Sequence, residues 1–386
     1  MRLRRVDKPF YYSNIIEYFD VAYYTEYSIG LGSQFVRSEM DLGANFSPQT
    51  FYEPPLMNVE AVHIGLSKHI RVNNAITWYD YTRVLSWLKL SLSPYLVCDD
   101  WGIDESIAAM DPDKASGVYW KQNCGPKKSD VLSDNRYRDG VELVRFFREE
   151  TGCFSLILKD ELRKRGKVAR LFHPAPIEMI LVGNMCFGAQ NAKLTQHVLE
   201  HPITIGLHIP GYHTFQLFTS LMNFDGDCHD GDANQWDASV PAWLSCVCRD
   251  LRCSCYSPSQ KDRLYEDARR YYAMTYYGWC NCTGNVMCVP SQKSGQVTTG
   301  HGNSMKNYAI LILHAIRAGM TYLDFVQNVK CYCNGDDLIY STKTRVFEPH
   351  LVYGTYRWCG IYVESDCVAK NIYDITYLGV SPVERY

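Results

Sequence analysis

The chain has 386 residues, 46% hydrophobic and 21% charged, with a formal net charge of −3. That length can bury a large core, and the composition is ordinary for a globular protein. The slightly negative balance excludes a generally basic RNA-coating protein, and no segment reaches the roughly 18 uninterrupted apolar residues that a membrane span needs.

At the N-terminus, Met1-Arg-Leu-Arg-Arg-Val-Asp-Lys8 is charged and no apolar core with a small-residue cleavage site follows, so a cytosolic chain is expected. Sixteen cysteines without a secretory signal then point to reduced thiols, and the Asn281-Cys-Thr283 glycosylation pattern carries no meaning there. Ser155 to Lys159 has the character of a short strand. Gly166 breaks a basic run of Lys159, Arg163, Lys164, Arg165, Lys167 and Arg170, opposed only by Asp160 and Glu161. Val168 to Phe172 resumes an alternating pattern before His173-Pro174-Ala-Pro176 stops it. Strand, basic turn and strand make a hairpin whose cations could hold phosphates, with a solvated turn as the plain alternative. Pro176 opens a helix over Ile177 to Ala189, which Glu178 and Asn184 mark as buried rather than membrane-spanning.

The segment from Asp225 to Asp232 is crowded with carboxylates. Asp227 to Asp232 has the same spacing as Asp232 to Asp237, and the continuation Trp236-Asp-Ala-Ser239 into Val240-Pro-Ala-Trp-Leu244 favours the second frame. Cys246, Cys248, Cys253 and Cys255 follow, then Cys280, Cys282 and Cys288. Cys-x-Cys pairs on a helix place their thiols on different faces, which suits small buried hydrophobes better than zinc. Ser294-Gly-Gln-Val-Thr-Thr299 reads as a loop, and Asn303 to Ala318 as a helix carrying Met305, Tyr308, Ala309, Leu311, Ile312 and Ile316 at helical spacing. Leu323 to Gln327 and Val329 to Cys333 read as strands on either side of a turn. Leu338 to Ser341 pairs back across Gly335-Asp-Asp337. No internal repeat or low-complexity linker separates the parts, so the lobes are interleaved.

Three pieces in fixed order carry the chemistry: Asp232-Ala-Asn-Gln-Trp-Asp237, the Ser294-Gly295 run with Asn303 behind it, and Asn334-Gly-Asp336-Asp337. Joining a nucleoside triphosphate to a 3′-hydroxyl needs two divalent cations about 4 Å apart, held by carboxylates from separate strands. Hard ions such as Mg2+ or Mn2+ take oxygen ligands and keep several waters. Asp232 at a strand end and Asp336 and Asp337 at a hairpin can supply them. Gly335 permits the tight turn, and adjacent strand residues face opposite ways, so Asp336 and Asp337 take unequal roles.

On these residues the chain resembles the viral RNA-directed RNA polymerases of the positive-strand, picornavirus-like supergroup over nearly its whole length. Lys159 to Arg163 with Lys167 and Arg170 matches the family's basic finger motif. Asp232 to Asp237 matches the first palm motif, Ser294, Gly295, Thr299 and Asn303 the ribose-sensing loop and helix, and Asn334 to Asp337 the metal hairpin. Lys114 to Trp120 resembles the motif that meets the template, which would give Ser116 and Gly117 that contact, although Ala115 and Val118 depart from it. Gly360 to Lys370 resembles the segment whose lysine lies near the leaving pyrophosphate, with Lys343 as a competing acid, and Tyr377-Leu-Gly379 resembles the primer-grip turn.

The resemblance implies an α+β right-hand polymerase with most of the thumb missing. Fingers would span 1–195 with an insertion at 239–285, palm 196–238 and 286–376, and the primer-grip turn 377–386. It implies two Mg2+ or Mn2+ ions on Asp232, Asp336 and Asp337, with Lys370 near the leaving group. Lys159, Arg163, Lys167 and Arg170 would hold the triphosphate, and Asp237, Ser294, Thr299 and Asn303 would read the ribose 2′-hydroxyl. The implied partners are template and nascent RNA, ribonucleoside triphosphates and other viral replication proteins, at replication complexes in the host cytoplasm. Rival readings are a palm-type nucleotidyl cyclase, which has no place for the Ser-Gly run, a reverse transcriptase, disfavoured by Asp237 and Asn303, and a non-catalytic RNA-binding protein with a degenerate palm.

Overall fold

The structure is a computed structural model that describes residues 52–53, 59–68, 74–150, 152–159, 163–164, 169–209, 211–282, 285–364 and 372–382. Its organising element is a four-stranded antiparallel sheet made of β6 (Asp227–Asn234), β9 (Val329–Asn334), β10 (Asp337–Thr342) and β11 (Tyr362–Glu364), in the order β11-β6-β10-β9. Period-two alternation sorts its side chains between two cores. Cys331, Cys333, Leu338 and Tyr340 enter the main core, whereas Tyr332, Ile339 and Cys228 point to a second cluster with Leu217, Phe218, Leu221, Ile375 and Tyr377.

Smaller sheets frame this one. β1 (Tyr52–Glu53) pairs with β4 (Arg163–Lys164), and β3 (Ile157–Leu158) pairs antiparallel with β5 (Leu171–Phe172). β2 (Cys153–Ser155) runs parallel to β7 (Trp279–Cys282), which pairs back with β8 (Asn285–Cys288). The β3–β5 pair, closed by a bond from Lys159 N–H to the Arg170 carbonyl at 2.8 Å, is the hairpin expected from the basic run.

The helix Thr299–Arg317 packs on the main-core face of the sheet and is buried on every side from His301 to Ile316. All-round burial is ordinary for an apolar core helix, but this one also buries His301, Asn303, Ser304, Lys306, Asn307 and His314. It starts four residues earlier than its apolar spacing suggests, because Thr299 Oγ1 donates to the Ser294 carbonyl at 2.6 Å and folds the loop into the first turn. Helix Ile177–Gln196 likewise runs a further two turns past Ala189, with Pro176 as its cap residue.

One strand expectation fails. Tyr322–Asn328, which contains Leu323 to Gln327, is a helix started by a capping box: the Thr321 hydroxyl accepts from Asp324 N–H at 3.1 Å, and the Asp324 carboxylate accepts from Thr321 N–H at 3.0 Å. Local capping outweighs the strand-like composition there, and only Phe325 of the segment is buried.

The cysteine group lies in helix Ala242–Ser254, at its C-cap Cys255, and in β7 and β8. Burial pushes the Cys248 thiol up to about 11 and the Cys253 thiol up to about 12, so both stay protonated. Among the described residues no single helix is long and apolar enough to cross a membrane; Thr299–Arg317 and Tyr322–Asn328 pass together by length and composition but are bent by 115°.

Candidate active site

Asp232 lies two residues before the end of β6, directly opposite Asp337 across the β6–β10 ladder, while Asp227 pairs with Thr342 at the far end of the same strand. The sheet therefore brings Asp232, not Asp227, to the Gly335-Asp336 hairpin. After Asn234 the chain turns sharply: Gln235 takes a left-handed conformation, φ 57° and ψ 43°, and opens the one-turn helix Trp236–Ser239. Buried Trp236 anchors that turn, and Asp237 faces the central helix, where Asn303 Nδ2 donates to its Oδ1 at 3.1 Å.

β9 and β10 are joined by Gly335 and Asp336 alone. Gly335 sits at φ 66°, the first central position, where a two-residue hairpin demands a glycine-like backbone. The turn is also tied down from outside. Gly335 N–H donates to Ser304 Oγ at 2.7 Å, and Asn307 Nδ2 donates to the carbonyls of Gly335 at 3.2 Å and Asp336 at 3.0 Å. Tyr356 in turn donates its hydroxyl to Asn307 Oδ1. One helical face thus fixes both acidic motifs, since Asn303, Ser304 and Asn307 lie within a single turn.

A cavity of about 730 Å³ opens between these elements and is lined by Asp232, Asp237, Asp336, Asp337, Thr299, Asn303 and Arg170 together with Lys68. Its carboxylates disturb one another. Asp337 is pushed up to about 7, by burial first and then by the charges of Asp336 and Asp232. Asp336 is reachable from the cavity, yet the surrounding walls desolvate it and, with Asp232, raise it despite Arg170. Asp237 is raised to about 6 by burial and then by Asp336, against the pull of Asn303, Lys306 and Arg170. Such an anionic cluster suits hard cations bound through oxygen.

Several expected residues stand elsewhere. Ser294 and Gly295 are not among the cavity's lining residues: Gly295 exchanges backbone bonds with His173 and Ala175, and a Cβ there would stand 2.4 Å from the His173 carbonyl oxygen. Lys159 is exposed on β5's partner side and does not line the cavity. Ser116 is fully buried with its hydroxyl donating to the Gly125 carbonyl at 2.6 Å, and Gly117, at φ 108°, is pressed against Pro176. Both serve the start of helix Ile177–Gln196, so the Ser116 hydroxyl is committed inside the protein rather than offered to a template. Lys343 follows the far end of β10, six residues from Asp337 or about 20 Å of strand, which removes it as the competing acid. The backbone of Arg163 lies in β4, whereas Lys167 and Lys370 lie outside the described residues.

The sequence reading missed Lys68, Gln235, Ser304, Lys306 and Asn307. For Lys306 and Asn307 a signal existed, because they stand three and four residues after Asn303 and so share its helical face, with Ser304 beside them in the same turn. Nothing in the string marks Gln235 as left-handed.

A family profile described as viral RNA-dependent RNA polymerase matches residues 129–381. The chain belongs to that family. It is 25% identical over 340 residues to the genome polyprotein of Salivirus A, covering 82% of this chain and 14% of the polyprotein. To the genome polyprotein of human rhinovirus 16 it is 27% identical over 292 residues, covering 73% of this chain and 12% of that one. The fold matches the solved Sicinivirus 3Dpol RNA-dependent RNA polymerase with a TM-score of 0.74 at 18% identity, over 86% of this chain and 75% of that one. The chain therefore spans a small part of its curated relatives, and it stands with the picornavirus-like polymerases, as its motifs suggested.

Proposed function

We propose that the chain joins ribonucleoside triphosphates to a growing RNA under the direction of an RNA template, using two divalent cations, and so copies a positive-strand viral genome in the host cytoplasm. The observation that carries this is the direct pairing of Asp232 with Asp337 across β6 and β10, with Asp237 and Asn303 joined on the wall of the same cavity. The donors fit Mg2+ or Mn2+, since they are carboxylate oxygens whose mutual repulsion an added cation relieves. Among the described residues no three acidic, His or Cys side chains form a closed metal cage, so nucleotide oxygens and water would complete the coordination. Asp232, Asp336 and Asp337 would hold the ions, which supply a more acidic 3′-hydroxyl and a neutralised leaving group.

The remaining roles fall to the walls. Arg170, immediately before β5 on the cavity's border, meets the triphosphate with a planar fork, and Lys68 adds a second cation from another segment. Asn303 spends its amide N–H on Asp237 Oδ1, which leaves the second carboxylate oxygen of Asp237 to accept a ribose 2′-hydroxyl. Lys159, Arg163 and Lys167 would extend the triphosphate path, and Lys370 would lie near the leaving pyrophosphate. Residues 196–238 and 286–376 would form the palm, with other viral replication proteins as partners. A primed RNA template with radiolabelled nucleotide tests the reading in the full-length polymerase: incorporation should require Mg2+ or Mn2+ and vanish in Asp232→Ala, while RNA binding without incorporation in the unaltered protein would support the non-catalytic alternative.

A further inference from the structure

We propose that Lys306 is a positioning residue that holds Asp237 ionised and in place, and thereby sets the preference for ribonucleotides; this rests on the reading of Asp237 and Asn303 as the sugar-sensing pair. Lys306 lies three residues after Asn303 on the same face of the central helix and is 2% exposed. Its ammonium makes one hydrogen bond, to Gln292 Oε1. A buried ammonium held by one neutral acceptor is expensive, and an apolar side chain of the same length would suit a core helix better. The charge is therefore kept at a cost to stability.

What surrounds Lys306 shows what the charge serves. Burial pulls Lys306 down to about 8, and the ionisable groups beside it are the Cys248 thiol, Asp237 and the Arg252 guanidinium. Cys248 is protonated and Arg252 is a like charge, itself bonded to the neutral oxygens of Gln190 and Asn191. Asp237 is the one carboxylate among the three. Gln292 completes the link, because its backbone N–H donates to the Asp237 carbonyl at 3.1 Å while its side chain accepts from Lys306. Asp237 is thus held at its carboxylate by Asn303, at its backbone by Gln292, and electrostatically by Lys306 behind both. Burial alone would tend to neutralise Asp237, and a protonated carboxyl would present a donor as well as an acceptor to the sugar. The buried cation opposes that outcome.

The test compares kcat/KM for a ribonucleotide and its 2′-deoxy analogue in the full-length polymerase. Lys306→Met should narrow the preference by roughly tenfold, the size of coupling seen when a residue acts through its neighbour. The double variant Lys306→Met/Asp237→Asn should match Asp237→Asn alone, because Lys306 acts through that carboxylate; a merely structural lysine would give additive losses. Lys306→Gln, which keeps a donor to Gln292 without the charge, supplies the same reading if the Met variant folds poorly. A preference unchanged in both Lys306 variants but altered in Asn303→Ala overturns this inference alone. A preference unchanged in Asn303→Ala and Asp237→Asn overturns the sugar-sensing reading beneath it.

Discussion

Glu178 and Asp337 are both pushed up to about 7, yet for different reasons and with different consequences. Glu178 begins helix Ile177–Gln196, is 1% exposed, and accepts from Trp120 Nε1 at 2.6 Å. Burial is the sole cause that raises it, and it ionises inside the protein only as pH rises past about 7. Asp337 lines an open cavity, and the charges of Asp336 and Asp232 add to its burial. A lone carboxyl inside a packed helical layer is a structural tie, whereas mutually repelling carboxylates on one cavity fit the proposed cation site. The same direction of shift therefore has a structural cause in one place and, on the proposed function, a chemical use in the other.

The comparison breaks first at the acidic cavity. Asp232→Ala and Asp336→Ala should each lower nucleotide incorporation by on the order of 10³-fold or more, because metal-borne charge stabilisation is worth several kcal/mol. Removing one of several repelling charges should leave thermal stability without metal unchanged or higher. Mg2+ should raise the wild-type unfolding midpoint more at pH 8, where Asp337 is ionised, than at pH 5, and the shift should shrink in both variants. Equal Mg2+ shifts in all three proteins would refute the assignment.

A smaller loss is expected at Arg170→Lys, which keeps the charge but loses the bidentate fork. Single-turnover incorporation should fall by about 10- to 100-fold across a nucleotide concentration series. An unchanged rate would return the β3–β5 hairpin to a solvated surface.

Glu178 tests the other side of the comparison. Its folded pKa, about 7, lies above the ordinary 4.5, so the folded state binds more protons between those values and stability falls as pH rises through that window. Above pH 7 the whole cost is present, and below 4.5 it is gone. Glu178→Gln keeps an acceptor for Trp120 and should stabilise the protein by roughly 1–3 kcal/mol at pH 8, with little gain at pH 4. Urea unfolding at the two pH values measures this, and a gain of the same size at both would show that ionisation is not the cause.

Much of this was legible in the string, and the reason differs by element. Gly335-Asp336-Asp337 announces its hairpin because a two-residue turn needs a residue tolerant of positive φ, and alternation around it gives both faces of the sheet. The helix at Tyr322–Asn328 was misread because Leu, Phe and Val suit a strand, while the Thr321–Asp324 capping box is a four-residue signal easily passed over. Ser116 and Ser294 looked like contacts to RNA and nucleotide because a motif gives spacing but not side-chain direction. Lys306 and Gln292 could not be paired from sequence, since only the folded loop brings them together.

Gln235 gives the smallest expected effect and joins both halves of the comparison. A residue with a Cβ at φ 57°, ψ 43° bears about 1–2 kcal/mol of strain that glycine escapes. Glycine gives back about half of that through the greater freedom of its unfolded chain. Gln235→Gly should therefore stabilise the protein by roughly 0.5–1 kcal/mol. Gln235 also lines the cavity, between Asp232 and Asp237 in the chain, so the same change should lower incorporation modestly even as stability rises. Opposite signs in the two measurements would place Gln235 with Asp337, as a strained residue retained for the site's sake. A gain in stability with incorporation unchanged would place it with Glu178, as a local cost that the fold absorbs.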